Sequence, residues 1–383
     1  MKLTLHGGVG EKGRTCVGIE QDDFRLLLDV GVNTSAPRDS DRYYPAISSD
    51  RLATIDAILI THAHEDHAAA LGWCVQRGFK GRVFMSAAAR DELDATLAGY
   101  ATPAGREAVK TIRIESIEAG DNLSLGPFVL KTGRSGHVVG GVWCHVSADA
   151  RSVLYCGDVV PASPVLAMDA PPACDLILID ASYGDDNVPS ALRSAAVRDW
   201  VRARPEGSVL PTPLSGRSLE LLAVIEGPIA VHASMRAPLA AQIAARGWLA
   251  PGAADRLSAR LAQTQSWEEG KPLPRAALLC HDGMGLEGPS RAALERAEHE
   301  GRPVLLTGHL PAGSPGQRMR AAGKADWLRL PTHPTLAENI ALIEASGATR
   351  ALAHSCDPDV IATLKPLIPM LAADATTGDA LTA

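Results

Sequence analysis

Residues 61–67 read Thr-His-Ala-His-Glu-Asp-His, so His62, His64, Asp66 and His67 place three imidazoles and one carboxylate within six positions of a chain that holds only 12 histidines. Imidazole and carboxylate together suit Zn²⁺ and other borderline divalent cations. In an extended segment alternate residues project the same way, so His62 and His64 are set to face one ion. Asp66 and His67 fall beyond the turn, where they could serve a second. The spacing differs from the helix-borne zinc pattern H-E-x-x-H, which excludes that class of metalloprotease.

What delivers such a cluster is the apolar run Ile55-Asp56-Ala57-Ile58-Leu59-Ile60, which predicts a strand over 55–61 ending at the histidines. Further strand ends repeat the arrangement. His137 lies in a glycine-flanked turn, Gly136-His-Val-Val-Gly-Gly141. Asp158 follows Val153-Leu-Tyr-Cys-Gly157, and Asp180 closes the buried-type run Asp175-Leu-Ile-Leu-Ile. His333 and His354 come much later. Metal-type residues recurring where strands become loops predict one common sheet edge.

The remaining pattern supplies the scaffold. Strands are expected at 1–5, 16–20, 24–30 and 82–85, helices at 68–77 and 87–97, and sheet again from 111 to 154. Residues 185–328 change character. Helical spacing at 191–204, 219–226, 237–247 and 291–300 alternates with short apolar strands at 208–210, 229–232, 276–280 and 304–307, predicting a small α/β domain with a parallel sheet. Thr335, with Glu338 three residues on, predicts a capped helix to Ser346. The Ala/Thr-rich end, 371–383, is expected to fray.

The chain has 383 residues, 46% hydrophobic and 21% charged, and a net charge of −7. The length calls for one large α/β domain plus a second domain or insertion. The charge supplies no general electrostatic case for nucleic acid. Residues 185–328, however, carry 17 Lys and Arg against 15 Asp and Glu, which leaves room for a local basic groove. Seven cysteines without a C-x-x-C pair fit reduced thiols rather than a disulfide frame. With no signal-peptide core and no run near ~18 apolar residues, a cytoplasmic protein without membrane contact is expected.

Taken together, His62-x-His64-x-Asp66-His67 with His137 and Asp158 resembles the metallo-β-lactamase superfamily. The wider set resembles its β-CASP nuclease branch, which includes RNase J and the cleavage-and-polyadenylation endonucleases. Gly7-Gly-Val-Gly-Glu11 is similar to the first loop of RNase J, and Asp180-Ala-Ser-Tyr-Gly184 to motif A. Leu214-Ser-Gly-Arg-Ser-Leu-Glu220 is similar to the G-R-x-x-E segment of the inserted domain. Asp282–Gly288 is similar to its glycine-methionine loop, and Thr307–Gly316 to the glycine-rich stretch before motif B. His333 then stands in the place of motif B and His354 in that of motif C.

The resemblance implies a four-layer αββα sandwich built from 1–184 and 328–383, with 185–327 inserted as an α/β cap over the active-site edge. It implies two Zn²⁺ per chain, with Mn²⁺ as the alternative ion: His62, His64 and His137 on one, Asp66, His67 and His354 on the other, Asp158 between them. It implies phosphodiester hydrolysis by a two-metal-activated hydroxide, with Asp66, Asp180 and His333 as catalytic residues. His333 is the candidate acid, and Asp180 orients His333 or His354. Ser215, Arg217, Gly308, His309 and Gly313 are expected to bind substrate. A histidine at motif C favours single-stranded RNA over DNA.

The pattern departs from the family at Thr335, where motif B has Asp, and at Ser355, where motif C is commonly followed by glycine. The 29 residues after His354 are too few for the additional C-terminal domain of RNase J. Exo or endo cleavage, a homodimer, a small-ester substrate and a catalytically idle scaffold all stay open at this level.

Overall fold

The computed structural model describes residues 1–286, 288–310 and 313–382. Glu287, Pro311 and Ala312, which belong to the two glycine-rich stretches, and Ala383 lie outside the described residues.

Two sheets form the centre. In the first, seven strands run in the order Ala380–Thr382, Lys2–Gly7, Cys16–Gln21, Phe24–Leu28, Ala57–Leu59, Arg82–Ser86, Ile114–Ile117. In the second, six run in the order Arg350–His354, Leu176–Asp180, Arg151–Tyr155, Val142–Ala148, Phe128–Arg134, Asn122–Leu125. Alternation along each strand decides the layers. Leu26, Leu28 and Leu59 of the first sheet meet Leu130, Val146, Tyr155 and Leu178 of the second in one inner core. The opposite side chains, Leu27, Ile58 and Val83, pack on Leu71, Cys74, Leu93 and Leu97 of helices outside. Likewise Leu154, Ile177 and Ile179 pack on Leu342, Ile343 and Ile361. The result is the four-layer αββα sandwich.

Residues 190–327 build a third, four-stranded sheet in the order Ser208–Pro211, Ala277–Cys280, Ile229–His232, Gln265–Trp267. Every pairing in it is parallel; one of its cores is its own, and the other also takes in Val139, Val165 and Leu166 of the preceding segment. The basic excess in this stretch is largely neutralised locally, for example in the Arg193–Asp186, Arg204–Asp326, Arg246–Asp255 and Arg275–Glu206 pairs. All seven cysteines are free and buried.

Three sequence expectations need correction. The strand before the histidines is shorter than expected, Ala57–Leu59. The helix expected at 68–77 is two helices, Glu65–Ala68 and Leu71–Gln76, because the Ala70 amide leaves the helix pattern and bonds to the Val30 carbonyl at 2.9 Å. The C-terminal stretch does not fray: Ala380–Thr382 pairs antiparallel with Lys2–Thr4, and Thr377 Oγ1 donates to Val9 O at 3.0 Å and Glu11 at 2.8 Å. Backbone pairing holds that segment, and composition carries no trace of it. Helices Pro103–Val109, Ala253–Ala262 and Pro315–Ala321, and strand Gln265–Trp267, had no sequence expectation.

Candidate metal centre and active site

The strand ends converge as the pattern of histidines and acids suggests. His62 and His64 leave the Ala57–Leu59 strand, and His64 adopts extended backbone as the N-cap of Glu65–Ala68. This capped turn throws His67 back toward the strand it came from. Gly31 allows it: a Cβ at Gly31 would stand 1.7 Å from Asp66 O.

Ligand-type atoms of His62, His64, His137 and Asp158 all lie within 4.8 Å of one another. His137 Nε2 is 3.2 Å from His64 Nδ1, close to the edge of a tetrahedron with bonds of about 2.0–2.1 Å, the Zn–N length. His62 Nε2, His67 Nε2 and Asp158 Oδ1 are buried without a hydrogen-bond partner among the described residues. His67 Nε2 and Asp158 Oδ1 face each other at 3.2 Å without a well-formed hydrogen bond, and His62 Nε2 has none; such buried polar atoms are costly unless something binds there, so the residues present fit a divalent cation.

In three of these histidines the other ring nitrogen is held. His137 Nδ1 donates to Thr332 O at 2.7 Å, and His62 Nδ1 lies 3.1 Å from Thr61 Oγ1. His67 Nδ1 donates to Asp29 at 2.7 Å. Asp29 is fully buried and also accepts from Thr61 N at 2.7 Å and from the Tyr155 hydroxyl at 2.7 Å. Such partners fix the tautomer that leaves Nε2 free for metal. From sequence, Asp29 is only one residue of the strand expected at 24–30. Burial lowers His62, and lowers His64 to about 4 and His137 to about 3, so all three are neutral, the ligating form, at neutral pH.

The second expected ligand set is less gathered. His67 Nε2 is 3.2 Å from Asp158 Oδ1 and 3.8 Å from Asp66 Oδ2. His354, paired in register with Asp180 at the adjoining strand end, has its Nε2 3.1 Å from Gly157 O and its Nδ1 3.0 Å from Ser355 Oγ. Its ring centroid is 6.4 Å from that of His67. Ser355 itself holds a positive φ of 60°, the conformation that glycine adopts without strain.

Next to the cluster, His333 Nδ1 lies 2.8 Å from Asp180 and 3.7 Å from Asp158. Burial would lower His333, but the two carboxylates outweigh it and hold the imidazole above its ordinary value. Asp180, buried, is held below the usual carboxylate range by the imidazolium. The loop carrying His333 hangs on Tyr183, whose hydroxyl donates to Leu330 O at 2.7 Å and accepts from Thr332 N at 2.9 Å. The departure at Thr335 keeps a helix-capping function: Thr335 and Glu338 form a capping box for Leu336–Ser346, and Asp and Thr are both good N-caps.

Of the expected substrate residues, Arg217 reaches the site. Its Nη2 is 3.5 Å from Thr332 Oγ1, its buried Nε has no partner, and no carboxylate pairs with it among the described residues. Gly308 lets it in: a Cβ there would meet Arg217 Nη1 at 2.0 Å. His309, near enough to feel the Arg217 charge, and Gly313 are exposed. Ser215, expected at the substrate, donates instead to Glu92 Oε1 at 2.8 Å.

Comparison with known proteins agrees with this geometry. The family model of the metallo-beta-lactamase superfamily matches residues 9–209. The chain belongs to that superfamily. Transcription termination factor FttA of Methanothermobacter thermautotrophicus is 27% identical over 249 residues, which cover 59% of this chain and 39% of that protein. Ribonuclease TTHA0252 of Thermus thermophilus is 29% identical over 172 residues, covering 42% and 39%. Endoribonuclease ysh1 of Emericella nidulans is 23% identical over 253 residues, covering 57% and 27%. The chain therefore spans well under half the length of these curated relatives. A crystal structure of a protein of unknown function from Enterococcus faecalis V583 matches the fold from end to end, covering 100% of this chain and 99% of that one, with a TM-score of 0.65 at 12% identity.

As a member of this superfamily the chain carries a His/Asp cluster suited to divalent metal. No helix among the described residues is long and apolar enough to cross a membrane.

Proposed function

We propose that this chain is a metal-dependent phosphodiesterase of the β-CASP type that cleaves single-stranded RNA, with 185–327 as the inserted cap. The observation that carries the reading is the adjacency of three groups. These are the imidazole–carboxylate cluster with its orphaned ring nitrogens, the His333–Asp180 ion pair and the unpaired Arg217. The relatives named as a ribonuclease and an endoribonuclease support the choice of substrate class.

In this reading His62, His64 and His137 would hold one Zn²⁺ and Asp66, His67 and His354 the other, with Asp158 available to both. Divalent ions lower the pKa of bound water and neutralise phosphate oxygens. The protein's own groups do the rest. Arg217 binds a non-bridging phosphate oxygen through its guanidinium. His333, with Nδ1 on Asp180, keeps its proton on Nε2 for the leaving oxygen. Asp180 sets the ring's orientation and stabilises its charge. Gly308 gives the Arg217 guanidinium room, and His309 lines the mouth beside it. We place the enzyme in the cytoplasm, where RNA is at hand.

The test is cleavage of labelled single-stranded RNA and DNA of one sequence by purified protein, with metal content measured alongside. RNA cleavage that disappears in His62→Ala and His333→Ala is expected. Equal cleavage by those variants, or less than one bound metal per chain, refutes the reading, and preference for DNA corrects the substrate.

A further inference from the structure

Arg217 sits in a seven-residue stretch, Leu214–Glu220, tied to the sandwich at three points. Ser215 Oγ donates to Glu92 Oε1 at 2.8 Å, and Glu92 belongs to helix Ala87–Tyr100. Gly216, with φ 66°, lies so close to the His137 turn that a Cβ would be 2.7 Å from His137 O. Glu220, buried, accepts from the Ser163 hydroxyl, five residues beyond Asp158. Ser163 Oγ in turn accepts from Val165 N at 3.1 Å and Leu166 N at 2.8 Å. One anchor is an outside carboxylate, Glu92, meeting Ser215, and the other is the stretch's own Glu220 meeting Ser163; the only cationic residue between the anchors is Arg217.

An arginine without a carboxylate partner has no ion pair to fix its direction. Here its neighbours Gly308 and Thr332 offer one weak contact at 3.5 Å, so its aim is set by the backbone that carries it. A misplacement of about 1 Å in such a group costs up to about a hundredfold in rate. We propose that Glu92 and Glu220 are positioning residues: through Ser215 and Ser163 they clamp the 214–220 stretch onto the metal-site loops and thereby aim Arg217 at a phosphate oxygen. The proposal rests on the phosphodiesterase reading for its substrate, but not for its anion site.

The decisive experiment is a double-mutant cycle on the metal-loaded full chain, read by inorganic phosphate binding in calorimetry and by kcat and KM on RNA. Glu92→Ala and Glu220→Ala are each expected to weaken phosphate binding and raise KM about 5- to 10-fold with kcat changed less, while leaving metal content intact. On the Arg217→Ala background the same changes should add less than about 2-fold. Glu92→Gln should stay within about 2-fold of the parent, because an amide oxygen also accepts the Ser215 hydroxyl. Ser215→Ala and Ser163→Ala remove the same bonds with a smaller volume change, should the glutamate variants fail to fold. Effects that multiply with Arg217→Ala, or phosphate binding unchanged in a folded Glu→Ala variant, overturn the proposal. Phosphate binding that follows the cycle in a protein inert toward RNA leaves the positioning intact and removes the RNA reading. RNA cleavage with multiplicative effects does the reverse.

Discussion

Asp29 Oδ2 lies 2.7 Å from His67 Nδ1, and the same buried oxygen takes the Tyr155 hydroxyl at 2.7 Å and the Thr61 hydroxyl at 2.8 Å. One carboxylate thus joins the start of the sandwich, the metal loop and the second sheet. Its charge keeps His67 in the tautomer with a free Nε2. Asp29→Ala is expected to weaken metal affinity about 10- to 100-fold, and Asp29→Asn less, because the amide oxygen still accepts from His67. Competition with a chromogenic chelator measures it, and unchanged affinity in Asp29→Ala would show the contact to be incidental.

The His333–Asp180 pair should act as a unit. His333→Ala is expected to lower kcat about 10²- to 10⁴-fold with bound metal unchanged, and Asp180→Asn to lower it by a smaller factor. The double variant should be no slower than His333→Ala alone, because a residue acting only through another has nothing left to act on. Single-turnover kinetics checks this. Multiplicative losses would give Asp180 an independent role, for which its place with Asp158 and His333 in a second group of clustered metal-type ligands is the obvious candidate.

The contribution of Glu92 and Glu220 to stability should fall as the pH rises. Burial pushes Glu92 and Glu220 up to about 7, with Asp91 adding to the shift at Glu92. Both carboxyls therefore bind protons more tightly folded than unfolded. Their contribution is full below the ordinary value of about 4.3, and it is lost as the pH climbs through about 7. From the shift between about 4.3 and about 7, the size is at most about 3 to 4 kcal/mol for each carboxyl. In thermal unfolding between pH 5 and 8 the Glu92→Gln/Glu220→Gln variant should gain Tm relative to the parent as the pH rises, whatever slope the buried histidines give both profiles. Glu65, beside the metal ligands, is also raised to about 7, so the difference between the two profiles, not either slope alone, isolates the pair.

What could be read from sequence follows a physical division. His62, His64, His67, His137, Asp158 and His333 were legible because their chemistry is unusual at a strand end, and a strand end is a local signal. Asp29, Tyr155 and Glu92 were not. A single acid or tyrosine at a strand end or on a helix is common, and Asp29 meets Thr61 and Tyr155 across 32 and 126 residues of sequence. The bond of Ser215 to Glu92 was hidden for the same reason, since the two are 123 residues apart. The helix Ala253–Ala262 has a clear apolar face, Ala253, Ala254, Leu257 and Leu261, and periodicity alone would have found it. The C-terminal strand had no such face, because an edge strand of three residues is held by backbone bonds that composition does not encode.

Gly216 provides the sharpest steric test of how the inserted stretch meets the sandwich. Its φ of 66° is left-handed, and a Cβ would fall 2.7 Å from His137 O and 3.0 Å from Val138 Cγ1. Gly216→Ala therefore meets two penalties, one of about 1–2 kcal/mol for the backbone region and one for the clash. The carbonyl it strikes belongs to a residue whose ring is already fixed on Thr332, so relief must come from moving the 214–220 stretch away. Arg217 moves with it. The variant should lose about 2 kcal/mol or more of stability and a larger factor in activity than that loss explains at a temperature where it stays folded. By contrast Gly227→Ala, where a Cβ would meet nothing within 4 Å, should show the backbone penalty without the loss of activity. Equal activity losses in the two variants would mean that the contact with His137 does not control the site.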